Sequence, residues 1–344
     1  MPLRTGPLWV AAAVALAPPV ASGDSLLVAN KSDHTVHRLD LTTGEATVEL
    51  PTGLHPHEIA VAPDGRTAVV SNYGNRDEPG STLTVLDLAT DTVVATVDLG
   101  EHRRPHGLAW ISSTEVAVTA EATRHLLVVA PQSVEVLRAI ETGQEVSHMV
   151  VVEAASRRAF VANIGSGTVT VIDLASGEKL ADIETGEGAE GIAVRPGSGE
   201  IWVGNRAADT LSVLDAASLE IVAEVPCPGF PIRLAFTPDG DRLLVSAARS
   251  GELVLFDAAG RLELTRAPLN LQTAPDAADR LFGDRFGASP VPVGLVVAPD
   301  GATAWVAATQ ADVVVEVDAA TLEVRRLLHA GREPDGMALS AGND

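Results

Sequence analysis

Apolar residues along this chain fall in short runs separated by polar turns, and the runs recur. The segment His57-Glu58-Ile59-Ala60-Val61-Ala62-Pro63-Asp64-Gly65 sets the pattern. It returns at His106-Gly107-Leu108-Ala109, His148-Met149-Val150-Val151, Glu190-Gly191-Ile192-Ala193, Ile232-Arg233-Leu234-Ala235, Val293-Gly294-Leu295-Val296 and Asp335-Gly336-Met337-Ala338. The leading positions are 49, 42, 42, 42, 61 and 42 residues apart, a constancy that marks a repeat with two insertions. Within each copy a first apolar run precedes a turn such as Pro63-Asp64-Gly65. A second run follows, rich in strand formers: Leu27-Val28-Ala29-Asn30, Val69-Val70-Ser71-Asn72, Phe160-Val161-Ala162-Asn163, Trp202-Val203-Gly204-Asn205 and Trp305-Val306-Ala307-Ala308. A third ends at Asp40, Asp87, Asp173, Asp215, Asp257 or Asp318, and a fourth alternates, as in Ile221-Val222-Ala223-Glu224-Val225. Four strands repeated seven times predict an all-β, seven-bladed β-propeller with four antiparallel strands per blade. The repeats begin at a second strand, Leu26 to Asn30, and end at a first strand, Pro334 to Ser340. Pairing of these two closes the ring without open sheet edges.

The strings Phe160-Val161-Ala162-Asn163 and Trp202-Val203-Gly204-Asn205 resemble the repeat of the YVTN family of β-propellers, and the likeness runs from about Leu26 to Ser340. The resemblance implies the propeller fold and a kinship with surface-layer and exported proteins. It extends distantly to the propellers of nitrous oxide reductase and cytochrome cd1, which carry a copper cluster and haem d1. A shared fold does not select among these chemistries.

Composition narrows the setting. Lys and Arg number 24 against 46 Asp and Glu, a net charge of −22, and the acids are dispersed. A nucleic-acid partner is excluded on that ground, since phosphate binding requires clustered cations. Residues 1–22 combine Arg4, an apolar stretch from Leu8 to Ala17 and small residues up to Ser22, which reads as a cleavable export signal. The stretch is shorter than the ~20 residues needed to span a bilayer, so stable membrane insertion is not expected. The expectation is a periplasmic or secreted monomer, with the signal at 1–22 and the propeller at 23–344. Cys227 is the only cysteine, so no internal disulfide is available.

The first strand of each blade lines the central channel, and the residues leading it form a ring: His57, His106, His148, Glu190, Ile232, Val293 and Asp335. Three of nine histidines stand there on consecutive blades. Imidazoles and a carboxylate at one rim suit a transition metal such as copper, zinc or iron, with His57, His106 and His148 as ligands and Glu190 as fourth ligand or base. Asp335, Arg233, Asn72, Asn163 and Asn205 are further candidates for ligand binding. Arg76, Arg206 and Arg249 stand in the same loops. The alternative reading makes Pro105-His106-Gly107 a repeat feature and the asparagines strand terminators. The long insertion between Thr265 and Pro292 lies on the same face; a short helix over Asp276 to Phe282 would set Leu281 and Phe282 over the channel as a lid, against a plain surface loop. Cys227 is either a soft ligand there or a buried apolar residue. The sequence has no Cys-x-x-Cys-His, no nucleotide-binding loop of the Gly-x-x-x-x-Gly-Lys-Ser/Thr type and no Gly-x-Ser-x-Gly, which argues against covalent haem, nucleotides and serine-hydrolase chemistry. The functional expectation is an exported propeller that binds a metal ion or small ligand through a His/Glu cluster. The alternatives are a non-catalytic scaffold for another exported protein, and a metal-dependent lactonase or lyase.

Overall fold

The computed structural model describes residues 25–280 and 282–340. The expected export signal and Leu281 lie outside the described residues. Seven four-stranded antiparallel sheets follow one another as blades. Blade 1 is Pro334–Ser340, Ser25–Asn30, Thr35–Asp40 and Ala46–Pro51, so both ends of the repeat array share one sheet, as expected. Blades 2 to 7 begin with the inner strands Pro56–Val61, Pro105–Trp110, Ser147–Glu153, Ala189–Val194, Pro231–Phe236 and Pro292–Val297. Leu26 pairs with Leu339 and Leu27 with Ala338, which closes the ring by backbone hydrogen bonds.

Burial explains the sequence pattern strand by strand. Second and third strands are covered on both sides by neighbouring blades and read as unbroken apolar runs; Phe160-Val161-Ala162 is fully buried. Outer strands face solvent, which leaves Val93, Val94 and Val222 exposed. The core is made between blades rather than within them: Trp202 and Val213 of blade 5 pack with Val245 and Phe256 of blade 6. Cys227 belongs to this cluster and is fully buried. Burial pushes its thiol up to about 12. It is therefore an apolar filler, and the soft-ligand role is corrected.

The two ends of the channel differ. On one, third strands end in aspartates that cap the following turn: Asp173 accepts the backbone N–H groups of Ala175 and Ser176 at 2.9 and 2.8 Å. The other receives both insertions, the lengthened blade 2 hairpin around Asn75 and the segment 269–291. Every inner strand carries a bulge there, between Pro56 and Ile59, Pro105 and Leu108, Ser147 and Met149, and at the matching places in the other four blades. A bulge leaves a residue out of the ladder and re-aims its side chain.

Candidate functional site at the channel mouth

Three backbone positions per blade build the mouth. The first precedes the inner strand and holds Glu333, His55, Arg104, Val146, Gly188, Phe230 and Val291, in order from blade 1; all have positive φ, from 47° at His55 to 78° at Gly188. Side chains rarely adopt this region, so its recurrence is built into the repeat. The second position, two residues on, is the bulged ring foreseen from sequence. The third follows the second strand and holds Lys31, Tyr73, Glu121, Ile164, Arg206, Ala248 and Thr309. Its N–H donates to the carbonyl of the first position in every blade, as in Glu121 to Arg104 at 3.1 Å and Thr309 to Val291 at 3.0 Å. This bond holds the third residue beside the second. Glycine often follows the bulged residue because the next blade is close: a Cβ on Gly107 would lie 2.6 Å from the His148 carbonyl oxygen.

The bulged ring converges. His57 Nδ1 lies 3.0 Å from His106 Nε2, and the rings of His106 and His148 overlap with centroids 3.6 Å apart. His148 hydrogen-bonds Glu121 through Nδ1 and faces Glu190 through Nε2 at 3.2 Å. Tyr73 stacks on His57 and donates its hydroxyl to the second oxygen of Glu121 at 2.6 Å. Asp335 lies 3.5 Å from His57 Nδ1 and 3.3 Å from the Lys31 ammonium. Arg233 crosses the channel: one nitrogen reaches Glu58 of blade 2 at 2.6 Å and the other Glu190 at 3.2 Å, while Arg206 pairs with the second oxygen of Glu190. His57, His106, His148, Glu190, Arg233 and Asp335 are all buried.

Burial and neighbours divide the histidines. Desolvation holds His57 and His106 well below the usual imidazole range, and the positive charges of Lys31 and His148 depress them further, so both are neutral and able to ligate. Burial also opposes charge on His148, yet the flanking Glu121 and Glu190 outweigh it and raise this pKa to about 9. Glu190, which burial alone would raise, is held at about 2 by His148 and Arg206.

The triple that could hold a metal differs from the expected set. Ligand atoms of His106, Glu121 and His148 lie within 4.8 Å of one another. Glu121 was missed by sequence reasoning, and the signal was available: it is the third-position residue of its blade, directly after Val116–Ala120. His57 and Glu190 stand beside the triple, His57 against His106 and Glu190 against His148. His106 Nδ1 is buried without a hydrogen-bond partner, as an unfilled ligand position would be. The asparagines do not line the cavity. Asn72 and Asn205 each donate to two hydroxyls inside their own blades, and Asn163 is bonded to Ser147, Thr168 and Thr170. Their amides end strands, so the ligand-binding role given to them is corrected.

Around these groups is a cavity of about 890 Å³. The insertion covers one side. Only Ala277–Asp279 forms a 3₁₀ turn, less than the helix expected. Arg280 anchors it to Asp312 at 2.6 Å, Arg332 of blade 1 pairs with Asp276, and Phe282 and Phe286 pack on Phe230, Ile232 and Val293. Phe282 lines the cavity, so the segment does roof part of it.

Comparison with known proteins adds a partial match and a fold. The profile of the Cytochrome D1 heme domain family matches residues 112–233, a span that includes Glu121, His148, Glu190, Arg206 and Arg233. A distant likeness to the cytochrome cd1 propeller is thereby shown. No curated protein sequence matches this chain. Among solved structures it is similar to Kuenenia stuttgartiensis hydrazine synthase, with 18% identity, a TM-score of 0.71, and coverage of 87% of this chain and 93% of that one. A functionally unknown protein from Desulfotomaculum acetoxidans DSM 771 aligns with 12% identity and a TM-score of 0.76 over 93% of this chain and 99% of the other. Dihydro-heme d1 dehydrogenase NirN, solved in complex with DHE, aligns with 18% identity and a TM-score of 0.64 over 91% of this chain and 74% of that chain. At these identities the structural likeness establishes the propeller alone. No helix among the described residues is long and apolar enough to cross a membrane.

Proposed function

We propose that the channel mouth holds a transition metal ion on His106, Glu121 and His148 and presents it to a small polar ligand in the cavity. The observation that carries this reading is the convergence of those three ligand atoms within 4.8 Å in a buried pocket. Two imidazoles and one carboxylate suit zinc, copper or iron and leave a coordination position for a ligand. A metal there supplies a Lewis acid. The remaining groups hold the ligands: Tyr73 orients Glu121, Glu190 fixes His148, and Arg233 and Arg206 hold Glu190. His57, neutral and against His106, sets the orientation of that ring.

The test is elemental analysis after chelation and reloading with zinc, copper or iron. Wild type should retain about one equivalent, and His106→Ala and Glu121→Gln should lose it; a wild type that takes up none overturns the reading. The family match favours a second reading, a non-covalently bound iron tetrapyrrole. Titration with haemin should then give a saturable Soret shift that disappears in His106→Ala. Metal-loaded protein that turns over lactones would make the site a lactonase, whereas metal-free protein that captures an exported partner would make the propeller a scaffold. We further propose that residues 1–22 direct export, which a mature N-terminus near Gly23 would verify.

A further inference from the structure

The cavity differs in charge from the rest of the chain. Over the whole sequence acids outnumber Lys and Arg by 46 to 24, yet eight Lys and Arg side chains line the cavity against six Asp and Glu. A pocket with more Lys and Arg than acids in an acidic protein concentrates anions.

Most of these cations are already matched. Lys31, Arg206, Arg233, Arg280 and Arg332 each face a carboxylate. Arg76, Arg104 and Arg285 do not: among the described residues no carboxylate pairs with them, and of the three Arg104 stands against Tyr73, beside the metal triple. The Arg104 side chain donates to the Asn75 carbonyl at 3.1 Å and to the Tyr73 hydroxyl, and its guanidinium lies 4.9 Å from the centre of the Tyr73 ring. A guanidinium has five N–H donors, so several remain for a ligand.

Its position couples it to the metal triple. Arg104 stands two residues before His106, its carbonyl accepts the N–H of Glu121, and its side chain rests on the ring whose hydroxyl holds the Glu121 carboxylate. We propose that Arg104 is a specificity-determining residue that receives one oxyanion group, a carboxylate or phosphate, of a ligand bound at the channel mouth. This deepens the metal-site reading and rests on it. The planar fork matches two oxygens of such a group, which an ammonium cannot do.

The experiment titrates succinate, inorganic phosphate and, as a cationic control, ethylamine into zinc-loaded and metal-stripped protein by calorimetry. Succinate or phosphate should bind the loaded protein, and the better of the two identifies the oxyanion. Ethylamine should not bind. Asn tolerates the positive φ of 58° at this position, so Arg104→Asn removes the fork with the least backbone strain. It should weaken anion binding at least tenfold, and Arg104→Lys by less, both with zinc content and Tm near wild type. Weaker anion binding that survives metal removal and is still lost in Arg104→Asn upholds the anion subsite and overturns only the metal's part in holding the anion. Anion affinity unchanged in Arg104→Asn, or preference for ethylamine, overturns the inference while leaving the metal reading intact.

Discussion

Blades 1 to 5 and blades 6 and 7 give the same three backbone positions to the channel mouth and fill them with opposite chemistry. In the first group stand Asp335, His57, His106, His148 and Glu190, backed by Lys31, Tyr73, Glu121 and Arg206, with Ile164 the apolar exception on blade 4. In the second stand Ile232 and Val293, backed by Ala248 and Thr309 under Phe282 and Phe286 of the insertion. The backbone is equivalent throughout, down to the hydrogen bond between third and first positions. What differs is whether the side chains can satisfy one another. On the polar side Lys31 meets Asp335 and Arg206 meets Glu190 within one blade, while His57, His148 and Arg233 find carboxylates on other blades, so the groups are mutually oriented. On the apolar side burial suffices, and the insertion provides it. Equivalent positions thus separate into a polar arc and an apolar support.

Substitutions on the two arcs should part most clearly in metal content. His106→Ala should lower metal affinity more than 100-fold, while Val293→Ala leaves it unchanged and costs about 1–3 kcal/mol of stability, by analogy with truncating other buried aliphatic side chains. A competition assay with a chelating dye checks the first and urea unfolding the second.

The next difference concerns stability. Arg233→Met leaves Glu58 and Glu190 facing each other without their shared cation, and about 3–5 kcal/mol should be lost. Adding Glu58→Gln should recover part of it, because the orphaned charge is then gone. Failure of the second change to rescue would mean that Arg233 acts by packing, as its neighbour Ile232 does.

A smaller effect is expected at the insertion. Arg280→Ala removes the anchor to Asp312 and Asp276 and should cost about 1 kcal/mol. Limited proteolysis should then cleave the insertion faster, with metal content unaltered. Loss of metal in this variant would show that the roof helps to shape the polar arc.

The least change is expected at Cys227. With burial pushing its pKa up to about 12, the thiol stays protonated at pH 8, and the reactive thiolate fraction grows only as pH rises toward that value. Labelling by a disulfide reagent should follow unfolding. Rapid labelling of folded protein would place Cys227 at the mouth instead of in the core with Trp202.

How much of this was legible in the chain varies by position. His57, His106, His148, Glu190 and Asp335 could be put on one ring because they share a repeat position. Glu121 was passed over because its strand ends in Ala120, without the Asn that marks this place in blades 1, 2, 4 and 5, although its position directly after the strand was readable. Arg233 was flagged, but not its reach across the channel to Glu58, a residue 175 positions earlier. The asparagines misled for the opposite reason: they recur, but what recurs is the capping of a strand.

The sequence by itself determined the number of blades, their strand order, the closure through both ends and the identity of the ring, because repetition and the burial of successive strands are local and periodic. Which atoms meet inside the ring was decided by tertiary structure. The bulges, the positive-φ turn and the approach of seven blades to one axis bring Glu121 to His148 and Arg233 to Glu190, and no spacing along the chain encodes those distances.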